Sequence, residues 1–319
     1  MVTIDLITGF LGSGKTTFLK KYAEYLMDQG LHIGILENDF GAINVDMLML
    51  HELRGDQCEL EMIAGGCDAE SHRRRFRTKL ISMRMCGYDR VLVEPSGIYD
   101  VDEFFDVLRE EPLDQWYEIG NVIAILDARL EKNLSEQADY LLASEVANAG
   151  KVILSHADAA TKEQCADTVA HLNRALEQKI RCDRRIDPDK DILQKNLTDL
   201  TKEELEEVSK CGYRLESYRK MDLEDDQAFD SLFFMEEKIT PKALEWAVPR
   251  LFADKSCGEV FRIKGFVKQK DGQWMELNAT HDSKTMEPIA VGQEVLIVIG
   301  EHLQEEKIRA ILKEEEQKA

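Results

Sequence analysis

The sequence has no long apolar run and too few basic residues to balance its acids. No segment approaches the roughly 20 apolar residues that a bilayer-spanning helix needs, so we expect no membrane contact. The 41 lysines and arginines face 62 aspartates and glutamates, which gives a formal net charge of −21. Because such a surface repels nucleic acid and anionic lipid, we expect neither as a partner.

The sequence also has no cysteine pattern typical of a disulfide framework. Its seven cysteines are odd in number and scattered, which leaves them as free thiols or metal ligands. The N-terminal segment has neither a basic region nor a small-residue cleavage site, so we expect a cytoplasmic location.

The length of 319 residues predicts two domains. Residues 1–215 alternate short β-branched runs with helical patterns, which predicts an α/β domain with a mostly parallel sheet and helices on both faces. Residues 216–230 are predicted to form a charged linker, and the pattern of residues 231–319 predicts a smaller α+β domain. The strands predicted in the first domain are Thr3–Thr8, His32–Glu37, Glu59–Ile63, Arg90–Glu94, Asn121–Asp127 and Val152–Ser155.

Residues 9–16 match the phosphate-binding pattern G-x-x-x-x-G-K-[ST] between a predicted strand and a predicted helix. Glycines let backbone N–H groups converge on phosphates, Lys15 reaches the β and γ oxygens, and Thr16 binds Mg²⁺. We expect Lys15 to be exposed, with no packing role. A glycine-rich turn that only starts a helix is the alternative. The predicted phosphate ligands are Gly9, Gly12, Ser13, Gly14, Lys15, Thr16 and Thr17.

Two acids at predicted strand ends are further candidates. Glu94 follows an apolar strand, at the edge where open α/β sheets bind ligands, and would hold Mg²⁺ together with Thr16. The amide of Gly97 could sense a γ-phosphate. Asp39 would orient the attacking water, since phosphoryl transfer needs positioning and charge. Together with Lys15, the acids Asp39 and Glu94 form the predicted catalytic set. The alternative is that these two acids are only residues of turns at the ends of strands.

The order of these segments resembles the CobW family of P-loop GTPases, relatives of the HypB and UreG metallochaperones. The resemblance implies a P-loop NTPase fold for residues 1–215 and a CobW-like second domain. It also implies a Mg²⁺-dependent GTP-hydrolysing switch that serves metal delivery to a client metalloprotein. The matching segments are Gly9–Thr17, Asn38–Gly41 with Asp46, Gly66–Cys67, Glu94–Gly97, Asp127, Gly258–Phe266 and Val298–Gly300.

Two other functions stay open at this point. One is a nucleotide-gated binding module with little intrinsic hydrolysis. The other is a P-loop phosphotransferase or ATPase, although no arginine-rich lid precedes the second domain.

The sequence departs from the family at its metal motif. Members carry C-x-C-C after the third strand, whereas this chain keeps only the first thiol, Cys67. Cys67, Glu70 and His72, with Cys58 nearby, could still hold Zn²⁺ or another transition metal through a harder ligand set. Burial of Cys67 as a small core residue is the alternative.

The second departure lies in the base-recognition loop. GTPases use N/T-K-x-D, whose aspartate accepts the guanine N–H protons, and this chain has Ser155, His156 and Asp158 around Ala157. We expect these three residues to bind the base, with His156 packed on the purine face where lysine usually lies. GTP is favoured and ATP stays open. Asp158 could instead cap the helix near Thr161.

The run from Arg73 to Arg77 is basic in an acidic chain. Most such runs are solvated helix faces. Here it could also contact phosphate or a second subunit, as in a nucleotide-dependent homodimer.

Overall fold

The computed structural model describes residues 1–39, 46–64, 69–96, 101–130, 134–219, 230–235, 239–281, 283–290 and 292–318. The chain divides into two compact units, Met1–Glu224 and Asp225–Ala319. Among the described residues, no helix is both long enough and apolar enough to cross a membrane.

A seven-stranded parallel sheet forms the centre of the first unit, in the order β3-β2-β4-β1-β5-β6-β7. Its strands are β1 (Val2–Thr8), β2 (Ile33–Asp39), β3 (Cys58–Ala64), β4 (Arg90–Pro95), β5 (Tyr117–Asp127), β6 (Lys151–Ser155) and β7 (Ile192–Gln194). All six predicted strands occur, and each is longer than predicted. The α/β class with a parallel sheet is therefore confirmed.

Eight helices surround this sheet within the described part of the first unit. They are α1 (Lys15–Asp28), α2 (Asp46–Leu50), α3 (Ala69–Arg84), α4 (Val101–Leu108), α5 (Leu113–Trp116), α6 (Glu136–Ala147), α7 (Lys162–Gln178) and α8 (Lys202–Val208). Short 3₁₀ turns occur at His51–Leu53 and Leu197–Asp199. Helix α1 buries Phe18, Leu19 and Tyr22 completely, at the helical spacing seen in the sequence. These side chains fix α1 against the sheet and so fix the loop that precedes it.

Sequence patterns also determine how two of these helices begin. The side chains of Thr161 and Thr201 each accept a hydrogen bond from the backbone N–H three residues later. The side-chain oxygens of Gln164 and Glu204 in turn accept one from the backbone N–H of Thr161 and Thr201. Both helices therefore start with a capping box.

The second unit is an antiparallel sheet in the order β11-β10-β9-β12-β8, with two helices that pack on each other. Its elements are β8 (Asp230–Met235), α9 (Pro241–Ala253), a 3₁₀ turn (Lys255–Cys257), β9 (Glu259–Lys268), β10 (Trp274–Ala279), β11 (Lys284–Ile289), β12 (Val295–Glu301) and α10 (Glu305–Lys318). The separate α+β domain is confirmed.

Strands β7 and β11 were not predicted. Strand β7 has only three residues at the sheet edge, and β11 is a mostly exposed edge strand with a proline inside it. Neither has a clear hydrophobic alternation. The predicted linker also begins too early, because Tyr218 donates to Asp102 (2.7 Å) and Arg219 N–H donates to Ile180 O (2.7 Å). Residues 216–219 thus belong to the first unit, and residues 220–229 lie outside the described part.

Candidate functional site

The loop between β1 and α1 has the backbone shape of a phosphate-binding loop. Gly9 has φ +141°, and a Cβ there would lie 2.0 Å from Ile125 O. Gly14 has φ +94°, and its Cβ would lie 2.7 Å from the Leu197 side chain. Both positions therefore require glycine. Gly14 is also the N-cap of α1, so the loop leads directly to the positive end of that helix.

Lys15 is held inward in this structure. Its Nζ donates to Gly9 O at 2.8 Å, and the residue is 7% exposed. The expectation of an exposed lysine was therefore wrong, because the loop folds around the side chain. Ser13 is also buried, whereas Thr17 is exposed. The predicted phosphate-binding residues therefore differ in solvent exposure.

Thr16 and Glu94 meet at the carboxyl ends of the central strands. Thr16 Oγ1 donates to Glu94 Oε1 at 2.8 Å, although the two residues are 78 positions apart. Glu94 is 4% exposed. A hydroxyl and a buried carboxylate side by side are oxygen ligands of the type that Mg²⁺ prefers, so these residues fit the ion.

The other predicted catalytic and switch residues lie largely outside the described residues. The backbone of Asp39 ends β2 next to β3, but its side chain is not among those described. Gly97, Phe40 to Asn44 and the side chain of Asp46 lie outside as well. Glu37 pairs in register with Glu94 across β2 and β4, and it is buried at the same sheet edge.

The base loop leaves β6 at Ser155 and turns at His156, which has a positive φ of 52°. His156 Nδ1 lies 2.9 Å from Asp127 Oδ2, at the end of the neighbouring strand β5. Ser155 is buried and donates to Leu126 O (3.1 Å), while Asp158 is exposed. The loop therefore presents Asp158 to solvent and ties His156 to a carboxylate that the sequence analysis had not assigned to the base loop.

Glu70 and His72, the described residues of the predicted transition-metal site, do not point toward a common position. Glu70 has an 83% exposed side chain that bonds to Arg74 (2.9 Å), whereas His72 is fully buried with its Nδ1 3.6 Å from Glu103. Residues two apart on a helix face opposite sides. Cys67 lies outside the described residues. Among the described residues, no cluster of three or more His, Cys, Asp or Glu forms a metal site.

Cys58 lies at the opposite end of β3 from Ala64, the last described residue before the segment that contains Cys67. It begins β3, whereas Cys67 follows the end of that strand. A strand rises about 3.3 Å per residue, so the two sheet edges lie roughly 20 Å apart. Burial also raises the pKa of the Cys58 thiol to about 11.

The arginine run on α3 is largely paired within the first unit. Arg73 and Arg77 both bond to Glu110, at 2.6 and 3.0 Å, and Arg77 also donates to Glu111 O. The run therefore tightens the contact between α3 and the segment after α4.

Glu145 on α6 is a buried acid that the sequence analysis did not single out. It is fully buried, and neither carboxylate oxygen has a hydrogen-bond partner within the described part of the chain. Burial raises its pKa to about 8, although the positive charge of Lys15 opposes this shift. The apolar residues on both sides of it, Leu141 to Ala143 and Val146 to Ala147, were the available signal of its burial.

This raised pKa predicts that the contribution of Glu145 to folding stability falls as pH rises. Between the ordinary value of 4.5 and about 8, the folded protein keeps a proton that the unfolded chain has lost. The loss amounts to at most about 1.4 kcal/mol per pH unit in that window. We expect Glu145→Gln to remove most of this slope and to be more stable than the native protein at pH 8.

Urea unfolding at pH 5, 6.5 and 8 measures this effect. Glu177→Gln, at an exposed glutamate on α7, is the matched control and should leave the slope unchanged. Parallel stability curves for native protein and Glu145→Gln would contradict the prediction.

Two known protein domains match this chain, one in each of its two units. The family model described as "CobW/HypB/UreG, nucleotide-binding domain" matches residues 3–182. The family model described as "Cobalamin synthesis protein cobW C-terminal domain" matches residues 231–315. The zinc chaperone YjiA of Escherichia coli (strain K12) is 29% identical over 187 residues, which cover 54% of this chain and 55% of YjiA. The zinc chaperone YeiR of the same strain is 31% identical over 157 residues, or 47% of each chain.

The chain thus spans about half the length of the curated relatives it matches. A crystal structure of Zn(II)-bound YjiA GTPase from E. coli covers 98% of both chains at 19% identity, with a TM-score of only 0.38. The family assignment rests on the two matched domains and on the phosphate loop described above. The chain belongs to the CobW/HypB/UreG family of nucleotide-binding proteins.

Proposed function

We propose that this protein is a Mg²⁺-dependent, GTP-hydrolysing switch that serves metal delivery to a client protein. The bond from Thr16 to Glu94 beside the phosphate loop is the observation that carries the proposal, because it joins a loop hydroxyl to a buried strand-end carboxylate. The family and the zinc chaperones among its relatives support the metal-delivery part. The cytoplasmic location, the lack of nucleic-acid binding and the homodimer stay predictions.

The chain's own residues divide the work of binding and positioning. Lys15 exchanges its bond to Gly9 O for a phosphate oxygen, and the N-terminus of α1 adds its partial positive charge. Thr16 and Glu94 would hold Mg²⁺, which supplies charge neutralisation on the phosphate oxygens. Asp39 is proposed to orient the attacking water, and the amide of Gly97 to sense the γ-phosphate.

Asp158 is proposed to select guanine. Loss of a charge-assisted contact to a base costs about 1.5–3 kcal/mol, so we expect native protein to prefer GTP over ATP by roughly tenfold or more. Asp158→Asn should erase or shift that preference. Competition binding with both nucleotides measures it, with Asp183→Asn as a control on another loop of the same unit. Equal affinity of native protein for GTP and ATP would contradict guanine selection.

Cys67 is proposed to contribute to Zn²⁺ binding. With alanine and glutamate at two motif positions, we expect weaker binding than a thiolate-rich site gives. The position of Cys67 after a strand of the nucleotide-binding sheet also predicts cooperative binding of metal and GTP.

Titration with Zn²⁺ and Co²⁺, with and without a non-hydrolysable GTP analogue, tests this proposal. Cys67→Ala should lose most of its Zn²⁺ affinity, whereas Cys86→Ala, at an exposed free thiol, should keep it. If Cys67→Ala binds Zn²⁺ like native protein, or neither protein binds Zn²⁺, then Cys67 is not a metal ligand.

A further inference from the structure

A histidine occupies the position where the base loop of a GTPase usually has lysine, and the structure shows what holds it. His156 has a left-handed backbone, and its carbonyl accepts the N–H of Ala159 (3.1 Å), which closes a tight turn. Its side chain is 42% exposed, so the ring is accessible from solvent while Nδ1 faces inward. The tight turn places the imidazole at the surface of the loop that carries Asp158.

The inward nitrogen contacts a carboxylate from the adjacent strand. His156 Nδ1 lies 2.9 Å from Asp127 Oδ2 and 3.3 Å from Ser155 Oγ. Because an ionised carboxylate only accepts hydrogen bonds, Nδ1 carries the proton in this pair. The contact therefore fixes the tautomer and the direction of the ring.

Asp127 is itself held in place. Its Oδ1 accepts the Arg129 backbone N–H at 2.8 Å, and its Oδ2 lies 3.2 Å from Arg129 Nη2. Burial alone would raise the pKa of Asp127, but the bonds from His156 and Arg129 lower it to about 2. Asp127 is therefore ionised throughout the range in which nucleotide binding is measured.

The segment behind Asp127 is anchored to the helix that follows the base loop. Thr168 on α7 donates to Ala128 O (2.9 Å) and accepts the N–H of Leu130 (3.3 Å). Asp127 also pairs in register with Ser155 across β5 and β6. The carboxylate and the base loop thus belong to one hydrogen-bonded arrangement.

We propose that Asp127 is a positioning residue for purine binding, and that it acts by holding the His156 imidazole against the face of the base. This inference rests on the proposed function. A lysine stem packs on a base through its methylene groups, whereas an imidazole needs a fixed ring plane to stack. Asp127 supplies that fixed plane, so guanine-nucleotide affinity in this chain depends on Asp127 through His156.

Equilibrium binding of Mg²⁺·GDP and of inorganic pyrophosphate tests the proposal. Pyrophosphate occupies the phosphate loop but has no base. We expect Asp127→Asn and His156→Ala each to weaken GDP binding by about tenfold. Both variants should bind pyrophosphate as native protein does. The double variant should bind GDP no more weakly than His156→Ala, because Asp127 has nothing left to position.

A second His–Asp pair in the same unit provides the matched control. His171 Nε2 lies 2.6 Å from Asp139 Oδ1, with both side chains mostly buried between α6 and α7. Asp139→Asn removes a pair of the same chemistry away from the base loop and should leave GDP affinity unchanged.

Three results would overturn the proposal for Asp127 and leave the proposed function of the protein standing. The first is that Asp127→Asn binds GDP within twofold of native protein. The second is that Asp127→Asn weakens GDP binding and pyrophosphate binding equally. The third is that Asp127→Asn weakens GDP binding in the His156→Ala variant as much as it does in native protein. If native protein binds pyrophosphate but no guanine nucleotide, the proposed function fails, and this proposal fails with it.

Discussion

Lys15→Ala should weaken GTP binding by roughly a hundredfold and abolish turnover. The lysine supplies the one side-chain ammonium of the phosphate loop, and hydrogen bonds to charged groups contribute about 1.5–3 kcal/mol each. Because Lys15 is 7% exposed, truncation also removes a packed stem. Lys15→Met keeps most of that stem and removes only the charge, so it should show the same loss of binding.

Calorimetric titration with GTP and a phosphate-release assay measure both effects. Lys20→Ala is the control, because Lys20 lies on the same helix and pairs with Glu52 at the surface. Circular dichroism establishes that each variant is folded. Native-like GTP hydrolysis by Lys15→Met would show that the active site lies elsewhere.

Asp5→Ala should cost about 3–5 kcal/mol of the free energy of unfolding. Asp5 is fully buried on β1 and accepts hydrogen bonds from Arg90 (2.9 Å), Tyr22 (2.8 Å) and the backbone of Asn121 (2.8 Å). Its removal leaves the Arg90 guanidinium inside the fold without its counter-charge.

The same network extends to the end of the first unit. Asn121 Nδ2 donates to Ser209 O (2.9 Å), and Gly212 N–H donates to Asn121 Oδ1 (2.8 Å). Asp5 thus helps to join β1, α1, β4 and β5 to the segment after α8. Urea unfolding measures the loss, and Tyr22→Phe, which removes a hydroxyl that donates to Asp5 and accepts from Arg90, should cost only about 1 kcal/mol. Equal stability of Asp5→Ala and Tyr22→Phe would contradict a network centred on this carboxylate.

Local patterns were enough to predict the sheet and the phosphate loop. The strand of Val91 to Val93 and the helix of Phe18, Leu19 and Tyr22 have periodicities that burial requires, and both occur. The loop glycines are needed by the backbone itself, so a sequence pattern can identify them. The contact of Thr16 with Glu94 followed from the rule that parallel strands end at one edge.

Other long-range contacts were not predictable in this way. Asp127 and His156 are 29 positions apart, and only the register of β5 with β6 brings them together. Glu145 is a polar residue on an almost fully buried helix, and the apolar residues around it indicate its burial but not its lack of a hydrogen-bond partner among the described residues. Glu70 and His72 suggested a metal set by their closeness in sequence, but helical geometry directs them to opposite sides.

Multiple-turnover phosphate release tests the central claim most directly. Native protein is incubated with GTP, ATP or GTP plus a panel of small phosphate acceptors, each with Mg²⁺ or with EDTA. A GTP-hydrolysing switch releases phosphate from GTP without an acceptor, requires Mg²⁺ and turns over ATP more slowly. Tight GTP binding without phosphate release, release only when an acceptor is present, or release that persists in EDTA would contradict the account.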